Sequence, residues 1–369
     1  MPSRDGARAH FVISANLGND VAKEPRLNFR IRATSPDDRP AIVALLRSAG
    51  LQIDASESHL RWKYWQERAD WPGPRSFVVA DDSEIHAHTG IVPSAFHWRG
   101  GRIRGVHMID WAASSHVVGA GIALLKHVGA MSEAMIGVGG TTATRRALPT
   151  VGFHPQGQVA SFVRVLRPWR NLRRYAKWSW KSLPKFGRNA WRAARAPVID
   201  SGSWHASRVA RPDLASLDSV LPAPGDGIAT MERSAAGLAY FVDCPIVPVE
   251  VHALYEKERL AGYFVLAIAG GQARLADCWV VSNEAQAWQG LVQCAIRSAL
   301  LHEEVVEIVS LASDAPLTAA LGDLGFRLRS TEAIQMRRKG RTPNADAVPS
   351  VRFQMLDSDA FYLPSAPWS

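Results

Sequence analysis

His116, Val117, Val118, Gly119, Ala120 and Gly121 form a short turn with two glycines one residue apart. It lies between a strand-like stretch that ends at Asp110 and a helix-like stretch that begins at Ile122. A turn of this kind aims several backbone N–H groups at one point and adds the positive end of a helix dipole, so its chemistry is phosphate binding. The Gly-Lys-Ser/Thr of a P-loop is absent, and no third glycine completes a dinucleotide fingerprint. Glycines also close strand-to-helix turns that bind nothing, so the flanking elements decide.

Those elements read in a definite order. Residues 28–33 form a first strand, and Ser35 with Pro36 opens a capped helix whose apolar positions recur at helical spacing through 41–46. A second helix runs through 59–65. Residues 75–80, 84–92 and 102–111, separated by Asp81-Asp82-Ser83 and Gly100-Gly101, read as a three-stranded meander. After the glycine turn come the helix at 122–128, a strand at 135–140, a helix at 142–148, the pair Gly152-Phe153 and a strand at 159–165.

This order over residues 28–166 resembles the GNAT superfamily of acyl-CoA-dependent N-acyltransferases. That family's pyrophosphate loop reads Gln/Arg-x-x-Gly-x-Gly/Ala, and its next helix ends at Gly-Phe. The resemblance implies that His116, Val117, Val118, Gly119, Ala120, Gly121 and Ile122 hold the pyrophosphate of acetyl-CoA or another acyl-CoA. His116 stands where the family prefers Gln or Arg. Leu148 stands where many members carry the tyrosine that protonates the leaving thiolate, so no such acid is transferred.

The chemistry implied is attack of a primary amine on a thioester, which requires a group that removes a proton from an ammonium. Asp110 and His107, near the end of the strand before the loop, are the candidates. They are three residues apart, so the alternation of a strand points them to opposite faces; at most one meets the amine, and Asp110 is favoured. The alternative is that both serve structure. Trp62, Lys63 and Tyr64 are expected to contact the acceptor.

The same order recurs. Residues 238–245 echo 60–65, the hairpin at 249–255 and 259–268 echoes 75–92, and Asp277 with Trp279 echoes Asp110 with Trp111. The strand at 305–310, the helix at 317–324 and Gly325-Phe326 close the second unit. It carries no Gly-x-Gly, and Glu284 lies where a phosphate loop belongs, which disfavours an anion site. The expected architecture is α/β (α+β): two tandem GNAT-like domains, each a mixed, mostly antiparallel sheet flanked by helices, with the second copy degenerate. The divisions are a tail at 1–27, domains at 28–166 and 206–340, a linker at 167–205 and a tail at 341–369, for which partial order is expected.

With 369 residues, 47% of them apolar, the chain can fill two cores. Cys244, Cys278 and Cys294 are spaced for neither a disulfide framework nor zinc. His86 and His88 share a strand face, but no third ligand is placed beside them, and no metal is expected. Without a signal-peptide core or an apolar run of spanning length, a cytoplasmic location is expected.

The net charge of +9 is local. Residues 167–195 hold ten Lys or Arg and no acid, leaving the remainder near neutrality. Four of the thirteen tryptophans lie there, and Trp169, Leu172, Ala176, Trp180 and Leu183 share one stripe of a basic amphipathic helix. The helix can pack on a domain, or rest on the anionic inner face of a membrane; RNA is a third and less favoured partner. The expected activity is acylation of an amine on a small molecule or a cell-envelope or polysaccharide precursor. Two alternatives stay open: an aminoacyl-tRNA-dependent transferase, and a non-catalytic membrane-associated binding protein.

Overall fold

A computed structural model describes residues 29–98, 101–175, 202–222, 229–339 and 351–363. The strands of the first half are β1 (Arg30–Ala33), β2 (Ser76–Ala80), β3 (Ile85–Pro93), β4 (Phe96–Trp98), β5 (Gly101–Ile103), β6 (Gly105–Ala113), β7 (Ala134–Val138) and β8 (His154–Val165). Those that follow are β9 (Trp204–Val209), β10 (Ala229–Met231), β11 (Val249–Glu256), β12 (Arg259–Ala269), β13 (Gln272–Val280), β14 (Glu307–Ala312), β15 (Arg327–Arg338) and β16 (Val351–Arg352).

Twelve strands form one sheet in the order β1-β2-β3-β6-β7-β15-β8-β14-β13-β12-β11-β9. Within it only β6–β7 and β13–β14 are parallel. The repeat is therefore visible as two five-strand halves running inward from the edges. At the centre they exchange strands: β15, the last strand of the second half, pairs with β7, while β8 pairs with β14. The sequence division between 166 and 206 thus marks a repeat in chain order, but the two units share a continuous sheet. A second sheet, β16-β10-β4-β5, likewise joins both halves.

Local chemistry places the helices. Asp38 accepts from the Ser35 N–H at 2.8 Å ahead of the helix Arg39–Ser48, whose Ile42, Val43, Leu45 and Leu46 face inward. The helix Ala285–Leu300 packs Trp288, Leu291, Val292 and Ala295 against the sheet of the second half. Its buried face is continuous with β12, most of which is buried, so that this central strand reads as an apolar run rather than an alternation.

Partial order is expected of residues 341–369, and within them residues 351–363 are built into the core. Val351, Phe353, Met355, Leu356, Phe361 and Tyr362 are buried in a core that also contains Trp62, Ile136, Tyr240 and Val265. Fully burying each large side chain contributes about 1.5–3 kcal/mol, which holds a segment whose Pro, Ser and Asp content suggests a loop. Of the amphipathic linker, the helix Pro168–Tyr175 lies within the described residues, with Trp169 69% exposed; residues 176–200 lie outside them. Among the described residues no helix is long and apolar enough to cross a membrane.

Candidate active site

The parallel pairing of β6 with β7 covers only Gly105–His107 against Ala134–Ile136. Beyond it the strands diverge, and among the described residues the facing edges of 108–113 and 137–138 have no strand partner. A cavity of about 460 Å³ opens there, walled by His107, Asp110, Trp111, the glycines 137, 139 and 140, and, from the C-terminal segment, Asp359. Backbone edges facing an open cleft can pair with a ligand's own amides, as an added strand would.

Asp110 has φ +50°, in the left-handed region, and the β3–β6 register shifts between His88 and Gly90. This irregularity breaks strict alternation. His107 and Asp110, expected to face apart, both border this cavity, as do Met108, Ile109 and Trp111. Burial lowers His107 to about 3, so its ring is neutral; its Nδ1 has no partner among the described residues, and the ring lies 5.5 Å from Phe353. Asp110 differs. Burial opposes its charge, but the Lys63 ammonium and the Tyr64 hydroxyl, which donates to Oδ2 at 2.5 Å, hold it below the ordinary carboxylate range. So held, Asp110 is a poor proton acceptor, and the base role expected of it is not the one this arrangement favours.

Lys63 and Tyr64 arrive on a π-helical turn, Arg61–Trp65. The buried Arg75 guanidinium fixes this turn by donating to the carbonyls of Trp62, Lys63 and Gln66 and to the Tyr240 hydroxyl at 2.7–2.9 Å. The expected acceptor contacts at Trp62, Lys63 and Tyr64 are corrected accordingly. Trp62 is a core residue, stacked on Tyr240 at 4.8 Å, with its indole N–H bonded to the Tyr240 carbonyl. Lys63 and Tyr64, both buried, partner Asp110 instead.

Lys63 Nζ also lies 3.4 Å from Asp359 Oδ2. Burial raises the Asp359 carboxyl and the neighbouring Asp110 adds to this, against the pull of Lys63. Sequence reasoning missed Asp359 because the segment lacks helical periodicity. The available signal was the alternation of Val351, Phe353 and Met355 ahead of Phe361 and Tyr362.

At the glycine turn, Gly119 caps the helix Ala120–Met131 with φ +87°, and a Cβ there would meet nothing within 4 Å. Ala123 makes the first helical bond, to the Gly119 carbonyl. The N–H groups of Gly121 and Ile122 therefore belong to the first turn, ahead of the helical ladder. His116, Val118 and Gly119 are exposed and Val117 and Ile122 half-buried, while Ala120 and Gly121 are buried. Gly121 has a second role: a Cβ there would stand 3.2 Å from Trp111 Nε1 and Ala113 Cβ, so its absence lets the helix approach β6. Trp111 walls the cavity and donates to the Gly121 carbonyl at 3.2 Å, joining cleft and turn.

His86 and His88 are held in separate hydrogen bonds, His86 Nε2 to Asp81 and His88 Nε2 to Ser76. Among the described residues no group of three His, Cys, Asp or Glu could hold a metal ion.

A cleft between diverging parallel strands, beside a glycine-capped helix, defines a GNAT-type fold, and comparison of structures agrees. A GCN5-related N-acetyltransferase from Anabaena variabilis is similar, with TM-score 0.55 and 14% identity over 84% of this chain and 73% of that one. A tandem GNAT protein from the clavulanic acid biosynthesis pathway matches over 85% of this chain and 100% of its own, with TM-score 0.53 and 11% identity. Saccharomyces cerevisiae N-myristoyltransferase, solved with bound myristoyl-CoA, matches over 91% and 88%, with TM-score 0.55 and 12% identity. No family model matches the sequence, and no curated protein matches it. The chain has the GNAT fold in tandem.

Proposed function

We propose that the chain is an acyl-CoA-dependent N-acyltransferase, with acetyl-CoA as the preferred donor, acting on an amine of a small molecule or cell-envelope precursor. The observation that carries this reading is the parting of β6 and β7 after His107 and Ile136, which opens the cavity between unpaired strand edges. Those edges would receive the amides of the pantetheine arm, and the first-turn N–H groups at Gly121 and Ile122 would receive the pyrophosphate. The acyl carbonyl would then lie among groups the protein fixes in advance, which is the main source of rate in such a transfer.

Titration calorimetry with acetyl-CoA tests this. The wild-type chain should bind one equivalent. Gly119→Glu, which strains a left-handed position and puts an anion at the turn, should weaken binding at least about tenfold, with the fold retained by circular dichroism. A wild-type chain that binds no acyl-CoA would remove the reading.

A further inference from the structure

Each half of the molecule contains a buried cation between two carboxylates, one from a strand and one from the C-terminal segment. In the second half, Arg233 bonds both oxygens of Asp277 at 2.9 Å and Asp357 at 2.7 Å, and the Tyr263 hydroxyl completes Asp277 at 2.6 Å. In the first half the members are Lys63, Asp110 and Asp359, with Tyr64 completing Asp110. The two clusters differ in access. The Asp277 and Asp357 side chains are each 2% exposed, whereas those of Asp110 and Asp359 are 12% and 17% exposed and line the cavity. The guanidinium cluster is a closed structural knot, and the ammonium cluster opens on the cleft.

Within the open cluster the carboxylates are not equivalent. Asp110 accepts from both Lys63 and Tyr64 through Oδ2, whereas Asp359 accepts from Lys63 over a longer contact and from its own backbone N–H. Asp359, the more exposed of the two and the more weakly held by Lys63, is the carboxylate better placed to receive another donor. Its neighbours are Lys63 and Tyr64 from the π-turn, Asp110 from β6, and Tyr362 from its own segment. With one cation among two carboxylates, the wall carries an excess of negative charge that suits an ammonium group.

We propose that Asp359, brought from the far end of the chain into the first-half cleft, binds the acceptor as a primary ammonium and takes its proton, with Lys63 and Asp110 as positioning residues. This rests on the acyltransferase reading above. One proton passes from the ammonium nitrogen to Asp359. The free amine then forms the N–C bond to the thioester carbonyl carbon as the C–S bond breaks, a second nitrogen proton ends on the sulfur as thiol, and Asp359 releases its proton to water.

The test uses the full-length chain, with acetyl-CoA as donor and glucosamine, spermidine, tyramine and lysine as probe amines. Thiol release is followed from pH 6 to 10, alongside acetyl-CoA calorimetry. In the wild type at least one probe should accelerate release. Asp359→Asn should bind acetyl-CoA within about twofold of wild type yet lose about 100-fold or more in amine-dependent release at pH 7, the span of general-base catalysis. The deficit should shrink as the pH approaches that at which the amine deprotonates unaided. Asp359→Glu, which keeps the carboxylate, should restore part of the rate and guards against misfolding of the amide variant. A wild-type rate in Asp359→Asn, an equal deficit at every pH, or acetyl-CoA binding with no response to any probe would each overturn the proposal. Absence of acetyl-CoA binding by the wild type would instead remove the acyltransferase reading beneath it.

Discussion

Gln354 accepts from the Cys278 N–H at 2.8 Å and donates to the Cys278 carbonyl at 2.9 Å. Cys278 lies on β13 just past the last β13–β14 pair, Leu275 with Ser310, where the parallel strands of the second half diverge as β6 and β7 do in the first. On the β14 side, Ser313 Oγ accepts from Phe353 N–H and donates to the Val351 carbonyl. The chain's own C-terminal segment therefore spans the second-half gap, and a side-chain amide occupies the strand edge. The second half lacks the glycine turn, its gap is filled by this segment, and the same segment carries Asp359 to the first-half cleft.

Gln354→Leu should destabilise the chain by about 1–3 kcal/mol, because it strands the buried Cys278 N–H and leaves the Cys278 carbonyl only the long contact to Arg352. Urea unfolding measures this directly. A change below about 0.5 kcal/mol would show that water or a shifted backbone replaces the amide.

The sequence made much of the first half legible. The capped helix, the first two strands of the meander and Gly152-Phe153 are encoded locally, through capping chemistry, alternation and turn residues; the third strand begins at Gly105 rather than at 102, because 101–103 pairs with β4 in the second sheet. The repeat was legible for the same reason, since β11 to β14 copy β2, β3, β6 and β7 in order. Three things were not. The exchange of β8 and β15 depends on which strand edges meet at the centre of the sheet, and neither strand's pattern records its neighbour. The shared cavity of His107 and Asp110 depends on a positive φ at a non-glycine residue, invisible to a period-two argument. Asp359 reaches Lys63 across 296 residues of chain, a contact that no local pattern can announce.

Arg75→Met should cost about 3–5 kcal/mol in unfolding free energy. It removes a buried guanidinium, takes this donor from the carbonyls of Lys63 and Gln66, and leaves that of Trp62 with the Tyr240 hydroxyl alone. Arg75→Lys should restore little of this, because one ammonium cannot span acceptors that the planar fork reaches together. Near-native stability of the lysine variant would mean that the turn holds itself.

Lys63→Met should be similarly costly, about 3–5 kcal/mol at pH 7, since it leaves Asp110 and Asp359 as neighbouring buried carboxylates without their cation. Their mutual repulsion raises the proton affinity of the pair in the folded state, and a raised folded-state pKa gives stability that is lost as pH rises. The deficit of Lys63→Met relative to wild type should therefore narrow between pH 7 and pH 5. Adding Asp110→Asn should recover part of it at pH 7. A deficit that is independent of pH and additive with Asp110→Asn would show that the three groups are not coupled.

His88 and His107 set the acid limit. Burial lowers His88 to about 4, against the pull of Asp110, and lowers His107 to about 3, both from 6.5. Below pH 6.5 the unfolded chain binds protons that the folded chain refuses, so stability falls as the pH falls from about 6.5 toward 4. Each such histidine contributes at most about 1.4 kcal/mol per pH unit to that slope. His88 is hydrogen-bonded at both ring nitrogens, to Ser76 and to the Asp110 carbonyl, so replacing it would disturb the base of the cleft. His107 is the cleaner probe, because its Nδ1 has no partner among the described residues and its ring packs against Phe353. His107→Leu should leave the fold intact and flatten the stability–pH slope between pH 6 and 4 by up to one proton's worth, as read by urea titrations at fixed pH. An unchanged slope would mean that His107 gains its proton without unfolding, and that the cleft floor admits more water than its burial allows.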